Sequence, residues 1–207
     1  SNTRGSIVFK LHSLWFYLNS INKTYLWKIK FKIGYKLKKS LVLTGMMGVG
    51  KSTIGKSLAQ KLSYDFIDID KLIEAKEGCS INVIFKTKNE SYFRKIEQSL
   101  SLKQLKKERS VISLGGGAFM NKSIRRAVKD SSISFWLDVE INELIKRLSR
   151  TKKRPLLQKK NLRESVNKIY LERKKTYSEA DFRIKCNFLK ANIIVDKVLE
   201  LYEKSGN

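Results

Sequence analysis

Leu41-Val-Leu-Thr-Gly-Met-Met-Gly-Val-Gly-Lys-Ser-Thr-Ile-Gly55 is the stretch on which the reading of this chain turns. A short apolar run leads into a glycine-rich turn, and a helical pattern starts near Lys51, so the order is strand, loop, helix. Gly45, Gly48 and Gly50 omit side chains where the backbone must turn and aim its N–H groups inward, and the helix adds its positive dipole end. The pattern Gly-x-x-x-x-Gly-Lys-Ser/Thr in that context holds a polyphosphate. Gly48, Val49 and Gly50 supply backbone, Lys51 reaches the outer phosphates, the Ser52 hydroxyl is a magnesium ligand, and Thr53 extends the hydroxyl contacts. The alternative is an ordinary glycine turn, which the full pattern in its strand and helix setting disfavours.

Downstream, Asp65-Phe-Ile-Asp-Ile-Asp70 reads as a short buried strand with Asp68 and Asp70 two apart at its end. Alternation along a strand places both carboxylates on one side. If the strand lies parallel to the first, they emerge at the edge that carries the phosphate loop, where open α/β sheets bind ligands. Ser110-Val-Ile-Ser-Leu-Gly-Gly-Gly117 repeats the theme of a strand opening into glycines, which let a small polar molecule press against bare N–H groups. Helices are predicted around Ile54 to Leu62, Leu72 to Glu77, Ile81 to Phe85, Glu90 to Lys107, Ile124 to Lys129, Leu144 to Leu148, Arg163 to Lys175 and Asn192 to Lys204. Strands are predicted at Ser132 to Val139 and Phe182 to Cys186. The alternation gives an α/β fold in three layers, a parallel sheet of five strands with helices on both faces.

At 207 residues with 42% hydrophobic residues, the chain suits one domain with some excess. The formal charge of +25 is spread along the chain, which argues for a basic surface that draws in anions such as ATP rather than a dedicated nucleic-acid protein. Cys79 and Cys186 are too few for a disulfide framework or zinc site, and the only histidine, His12, lies near the N-terminus. Chemistry must therefore come from carboxylates, cations, backbone dipoles and bound metal. Residues 1–39 hold no Asp or Glu and interleave nine cations with bulky aromatics, forming an extension to the 40–207 domain. Its apolar part, Ile7 to Leu18, is too short and too interrupted to span a bilayer. A targeting segment, a membrane-surface helix and a poorly ordered tail all fit its composition. Residues 150–163 crowd Lys152, Lys153, Arg154, Lys159 and Lys160 around the only proline, Pro155, as in a mobile basic lid that closes over phosphates. A solvated loop is the alternative.

These parts describe phosphoryl transfer to a small acceptor, with Lys51 and Arg154 spreading the developing charge, Asp68 assisting magnesium and Asp70 binding the acceptor hydroxyl. For either aspartate a helix cap is the competing role. From Leu41 to Lys204 the sequence resembles the shikimate kinase family. The resemblance is carried by Gly-Met-Met-Gly-Val-Gly-Lys-Ser-Thr-Ile-Gly, Phe-Ile-Asp-Ile-Asp, Tyr-Phe-Arg-Lys-Ile-Glu, Leu-Gly-Gly-Gly-Ala, Lys-Lys-Arg-Pro-Leu-Leu and Glu-Arg-Lys-Lys-Thr-Tyr, in the family's order. It implies a nucleoside-monophosphate-kinase-like P-loop fold with a closing lid, ATP and Mg2+ as cofactors, and phosphorylation of the shikimate 3-hydroxyl on the route to aromatic amino acids.

By the same resemblance Asp70 holds shikimate hydroxyls, and Arg94 and Arg173 clamp its carboxylate. Gly115, Gly116 and Gly117 form a backbone wall, Arg154 reaches ATP and Arg147 packs near adenine. Two guanidinium groups suit a carboxylate because bidentate contacts fix orientation as well as charge; a surface ion pair such as Arg94 with Glu97 is the competing role. One departure is local: Lys175-Thr176-Tyr177 stands where the family has Pro-Leu-Tyr, which bears on how Arg173 is aimed. A monomeric cytoplasmic enzyme acting on shikimate is expected, with no specific nucleic acid and no transmembrane segment; a plastid or other organelle is the alternative location. The competing functions are another small-molecule kinase of this architecture, such as one acting on gluconate, and a non-enzymatic ATP-binding relative.

Overall fold

The computed structural model describes residues 39–149 and 161–205. In chain order the elements are β1 (Ser40–Thr44), α1 (Lys51–Leu62), β2 (Asp65–Asp68), α2 (Ile69–Glu77), α3 (Ile81–Gln104), β3 (Ser110–Ser113), a 3-10 turn (Ala118–Met120), α4 (Lys122–Ser131), β4 (Ser132–Asp138), α5 (Ile141–Ser149), α6 (Leu162–Tyr177), β5 (Phe182–Lys185) and α7 (Ala191–Ser205). The strands form one all-parallel sheet in the order β2-β3-β1-β4-β5. β1 lies at its centre, and every one of its five residues is buried. That is why it reads as a continuous apolar run instead of an alternating one.

Right-handed crossovers fix which helices cover which face. The step from β1 to β2 runs one way across the sheet, and α1 packs there beside α7; the later steps run the other way, with α3 and α4 against each other. The register brings the strand ends together: Leu43 stands opposite Ser113 and Phe135, and Asp68 opposite Ser113. The loops after β1, β2 and β3 therefore leave the same edge of the sheet side by side.

Three details differ from the sequence expectation. β2 stops at Asp68, and Asp70 lies in the first turn of α2, so strand alternation does not relate the two carboxylates. The cause is Asp68 itself, whose carboxylate accepts the Lys71 N–H and caps the helix. The separate helices predicted around Ile84 and Phe93 join in α3 across a break at Asn89, where φ is 68° and the side chain accepts the Tyr92 N–H. α6 runs to Tyr177, beyond the Lys175 expected, and its first residues, Leu162 and Arg163, take up the end of the predicted lid. The rest of that lid, 150–160 with Arg154, and the N-terminal extension up to residue 38 lie outside the described residues.

Candidate active site

A cleft of about 770 Å³ opens at the edge where β1, β2 and β3 end. Ser52, Asp68, Asp70, Arg94, Gly116, Gly117 and Arg173 all line it. Residues far apart in sequence are thus brought to one crevice by three parallel strands and the helices that follow them.

The loop after β1 forms the nucleotide side. Gly45 has φ 130°, and a Cβ there would lie 2.5 Å from the Leu137 carbonyl oxygen of β4, so both conformation and space require glycine. Lys51, the first residue of α1, is almost fully buried; its ammonium donates to the Gly45 carbonyl at 2.8 Å and the Met46 carbonyl at 3.0 Å. The loop's own carbonyls thereby hold the cation within the turn it serves. Ser52 donates its hydroxyl to Asp68 Oδ2 at 2.6 Å, which joins the start of α1 to the end of β2. Asp68 is therefore both helix cap and partner of the loop serine. Arg147 on α5 pairs with Glu143 at 3.0 Å and reaches the Val49 carbonyl of the phosphate loop at 3.4 Å. Thr53 is exposed in the first turn of α1.

Ser52 and Asp68 present the hydroxyl and carboxylate oxygens that magnesium prefers, and magnesium commonly completes its shell with substrate phosphates and water. Among the described residues no cluster of three His, Cys, Asp or Glu offers a self-sufficient metal cage. The Ser52 and Asp68 oxygens fit a magnesium ion that arrives with a nucleotide.

The other side of the cleft is lined from α2, α3, α6 and the loop after β3. Arg94 donates to Glu97 Oε2 at 2.6 Å and to Glu90 Oε1 at 2.9 and 3.1 Å. The ion pair foreseen as an alternative role for Arg94 thus exists, and Arg94 lines the cleft as well. Burial works against its charge, but Glu97 and Glu90 outweigh that and hold its pKa above the ordinary value. Burial pushes the Glu97 carboxyl up, against the pull of Arg94, and the nearby Asp70 adds to the rise. Arg173 on α6 donates to the Gly116 carbonyl at 2.9 Å. Phe85 and Phe93, with ring centres 4.8 Å apart, give the cleft an apolar wall on which a carbon ring can rest.

The glycine wall is tight. A Cβ on Gly115 would lie 2.7 Å from Asp70 Oδ1 and closer still to Glu97 Oε1, and one on Gly117 would lie 2.5 Å from the Arg94 guanidinium. The wall therefore packs directly on the aspartate and the arginine assigned to the acceptor. Two contributors escaped the sequence reading. Glu90, the second partner of Arg94, shows only as a carboxylate four residues before it. Tyr177 reaches the Gly116 carbonyl beside Arg173, a contact hidden once the helix was expected to stop at Lys175.

A parallel sheet in this strand order, a glycine loop wrapped on a buried lysine, and a cleft with carboxylates and arginines at the strand tips define a P-loop phosphotransferase. The shikimate kinase profile matches residues 47–203. Shikimate kinase from Sulfurihydrogenibium sp. (strain YO3AOP1) is 42% identical over 161 residues, covering 78% of this chain and 96% of the relative. The enzyme from Persephonella marina is 39% identical, covering 78% and 97%. The structure of shikimate kinase from Acinetobacter baumannii in complex with shikimate superposes with a TM-score of 0.78 at 32% identity, covering 81% of this chain and 94% of that one. A gluconokinase from Sinorhizobium meliloti, at 16% identity and TM-score 0.54, shares the fold alone. This chain belongs to the shikimate kinase family. It is a kinase, a phosphotransferase with an alcohol acceptor, that uses ATP and magnesium.

Proposed function

We propose that the cleft transfers the γ-phosphoryl group of ATP to the 3-hydroxyl of shikimate, giving shikimate 3-phosphate and ADP. The observation that carries this reading is the convergence of Asp70, Arg94 and Arg173 with the Ser52 and Asp68 end of the phosphate loop in one cleft. Gluconate is also a carboxylate but is an open polyol chain, which has no use for the apolar wall of Phe85 and Phe93 that suits a carbon ring.

Each residue has a role that follows from its chemistry. Arg94 and Arg173 take the acceptor's carboxylate, and Glu90 and Glu97 hold Arg94 in place for it. Asp70 accepts a hydrogen bond from the acceptor hydroxyl and receives its proton as the oxygen bonds to phosphorus and the bond from phosphorus to the ADP oxygen breaks. A loose transition state asks little base strength of it, so orientation is its main contribution. Lys51 leaves the Gly45 and Met46 carbonyls for the outer phosphates and offsets charge there. Ser52 and Asp68 would hold magnesium, which would supply positive charge to the phosphates. Gly48, Val49, Gly50 and Thr53 cradle the phosphates, and Arg147 flanks the nucleotide. Arg154 is assigned to the transferring phosphoryl group on the strength of the sequence motif.

The reading extends to a monomer of domain 40–207 with its N-terminal extension, working in the cytoplasm; free Cys79 and Cys186 accord with a reducing compartment. An organelle remains the alternative location, and a fluorescent fusion of the whole chain separates the two. Among the described residues no helix is long and apolar enough to cross a membrane. The central test is ADP release with and without shikimate, repeated on Asp70→Asn. Shikimate-dependent release that falls by at least about 100-fold in the variant supports the assignment. Release indifferent to shikimate refutes it.

A further inference from the structure

Tyr177 is the last residue of α6 and is wholly buried, yet it carries a polar hydroxyl. Its ring stacks on Trp136 of β4 with centres 5.9 Å apart, and its hydroxyl donates to the Gly116 carbonyl. Arg173, one turn earlier on the same helix, donates to that same carbonyl at 2.9 Å. One oxygen with two lone pairs thus takes both donors. Burial pushes the phenol's pKa up, with Arg173 opposing, so the hydroxyl keeps its proton and remains a donor.

The consequence lies in the next peptide unit. No cis peptide bond occurs among the described residues, so the Gly116–Gly117 unit is planar and trans. Its N–H, belonging to Gly117, points opposite to its C=O. Pinning the carbonyl toward α6 therefore aims the Gly117 N–H away from α6, and Gly117 lines the cleft. Lacking side chains, Gly116 and Gly117 resist rotation of this unit poorly by themselves. The same carbonyl also fixes where the Arg173 guanidinium sits.

We propose that Tyr177 is a positioning residue for the acceptor: its hydroxyl, with Arg173, locks the Gly116–Gly117 peptide so that the glycine wall and the Arg173 guanidinium face the substrate in a fixed arrangement. α6 runs unbroken through Lys175-Thr176 to Tyr177, so Arg173 and Tyr177 stand one turn apart on one helical face.

The inference rests on the reading of the cleft as the shikimate site, and the test separates the two. Steady-state ADP release is measured for wild type, Tyr177→Phe, Arg173→Lys and the double variant, with thermal melting of each. Phenylalanine retains the ring that stacks on Trp136 and loses only the hydroxyl. Tyr177→Phe is expected to raise the KM for shikimate about fivefold or more, the loss of one buried hydrogen bond. Its KM for ATP should stay within about twofold. Because the two residues act on one carbonyl, the hydroxyl should matter less in the Arg173→Lys background, and the combined effect should fall short of the product of the single ones. Amide exchange at Gly117 should quicken in Tyr177→Phe, a readout independent of turnover. A shikimate KM unchanged in an active Tyr177→Phe enzyme overturns the proposal, whatever its melting temperature, and so does an equal rise in both KM values. A wild-type enzyme that ignores shikimate defeats the site reading instead.

Discussion

Gly115→Ala tests the contact between the glycine wall and the acceptor carboxylates. Gly115 lies outside the left-handed region of the backbone, so alanine causes no conformational strain and the effect is one of contact alone. The new methyl would sit 2.7 Å from Asp70 Oδ1, whereas carbon and oxygen settle at roughly 3.3 Å or beyond. It would press on Glu97 Oε1 as well, and Glu97 is 2% exposed with little room to withdraw. Asp70 must therefore give way by about half an ångström, or the loop after β3 must move. Overpacking of this kind costs about 2 kcal/mol, which lowers the melting temperature of a domain this size by about 4 to 8 °C. Because misplacing a reacting group by about 1 Å can cost about 100-fold, kcat/KM for shikimate should fall on the order of 10- to 100-fold. The affinity for a fluorescent ATP analogue should hold, since the methyl on residue 115 meets Glu97 and Asp70 and not the phosphate loop. ADP-coupled kinetics with varied shikimate, alongside nucleotide titration, reads both sides. A variant that melts earlier yet keeps kcat/KM within about threefold of wild type would show that Asp70 does not depend on this wall.

Gly117→Ala drives its methyl into the Arg94 guanidinium, which Glu90 and the buried Glu97 hold, so the arginine must shift off those partners: melting should fall by about 2 to 4 °C and the KM for shikimate rise about tenfold, and an unchanged KM argues against Arg94 as a carboxylate ligand. Ser52→Ala and Asp68→Asn should each raise the magnesium concentration for half-maximal rate by about 10- to 100-fold, read by magnesium titration at fixed ATP, and equal magnesium curves refute the assignment. Glu97, held above its ordinary value of 4.5 chiefly by burial, binds more protons folded than unfolded as pH rises from there to its raised value. Its contribution to stability is therefore present at low pH, declines through that window and then levels off. The melting temperature of Glu97→Gln relative to wild type should rise as pH increases from about 4.5 upward, and a fall contradicts the assigned cause.

Much of the nucleotide side could be read directly from the residues, because its chemistry is local. Gly45 to Ser52 is one continuous segment, and the strand and helix that hold it follow from an apolar run and a helical period. The five parallel strands were equally legible: the central ones carry apolar runs such as Leu41 to Leu43, and the edge strand Phe182–Lys185 alternates apolar and charged residues. The acceptor side was less so. Asp70 lines the cleft, but as a helix residue and not as the strand residue expected, because the capping bond that Asp68 accepts starts α2 at Ile69, three residues before the predicted Leu72.

Sequence alone determined the class of chemistry: a phosphate-binding turn with its lysine and serine, a carboxylate at a strand tip, and arginines for an anionic acceptor. The pairing of Arg94 with Glu97, three residues on along one helix, was open to the sequence as well. Tertiary structure alone decided how Arg173 is held: it shares the Gly116 carbonyl with a tyrosine four residues on. The physical reason is distance along the chain. A short segment declares its own conformation through propensity and spacing, but a contact between Gly116 and Tyr177 depends on where two separate elements dock, and only the packed sheet fixes that.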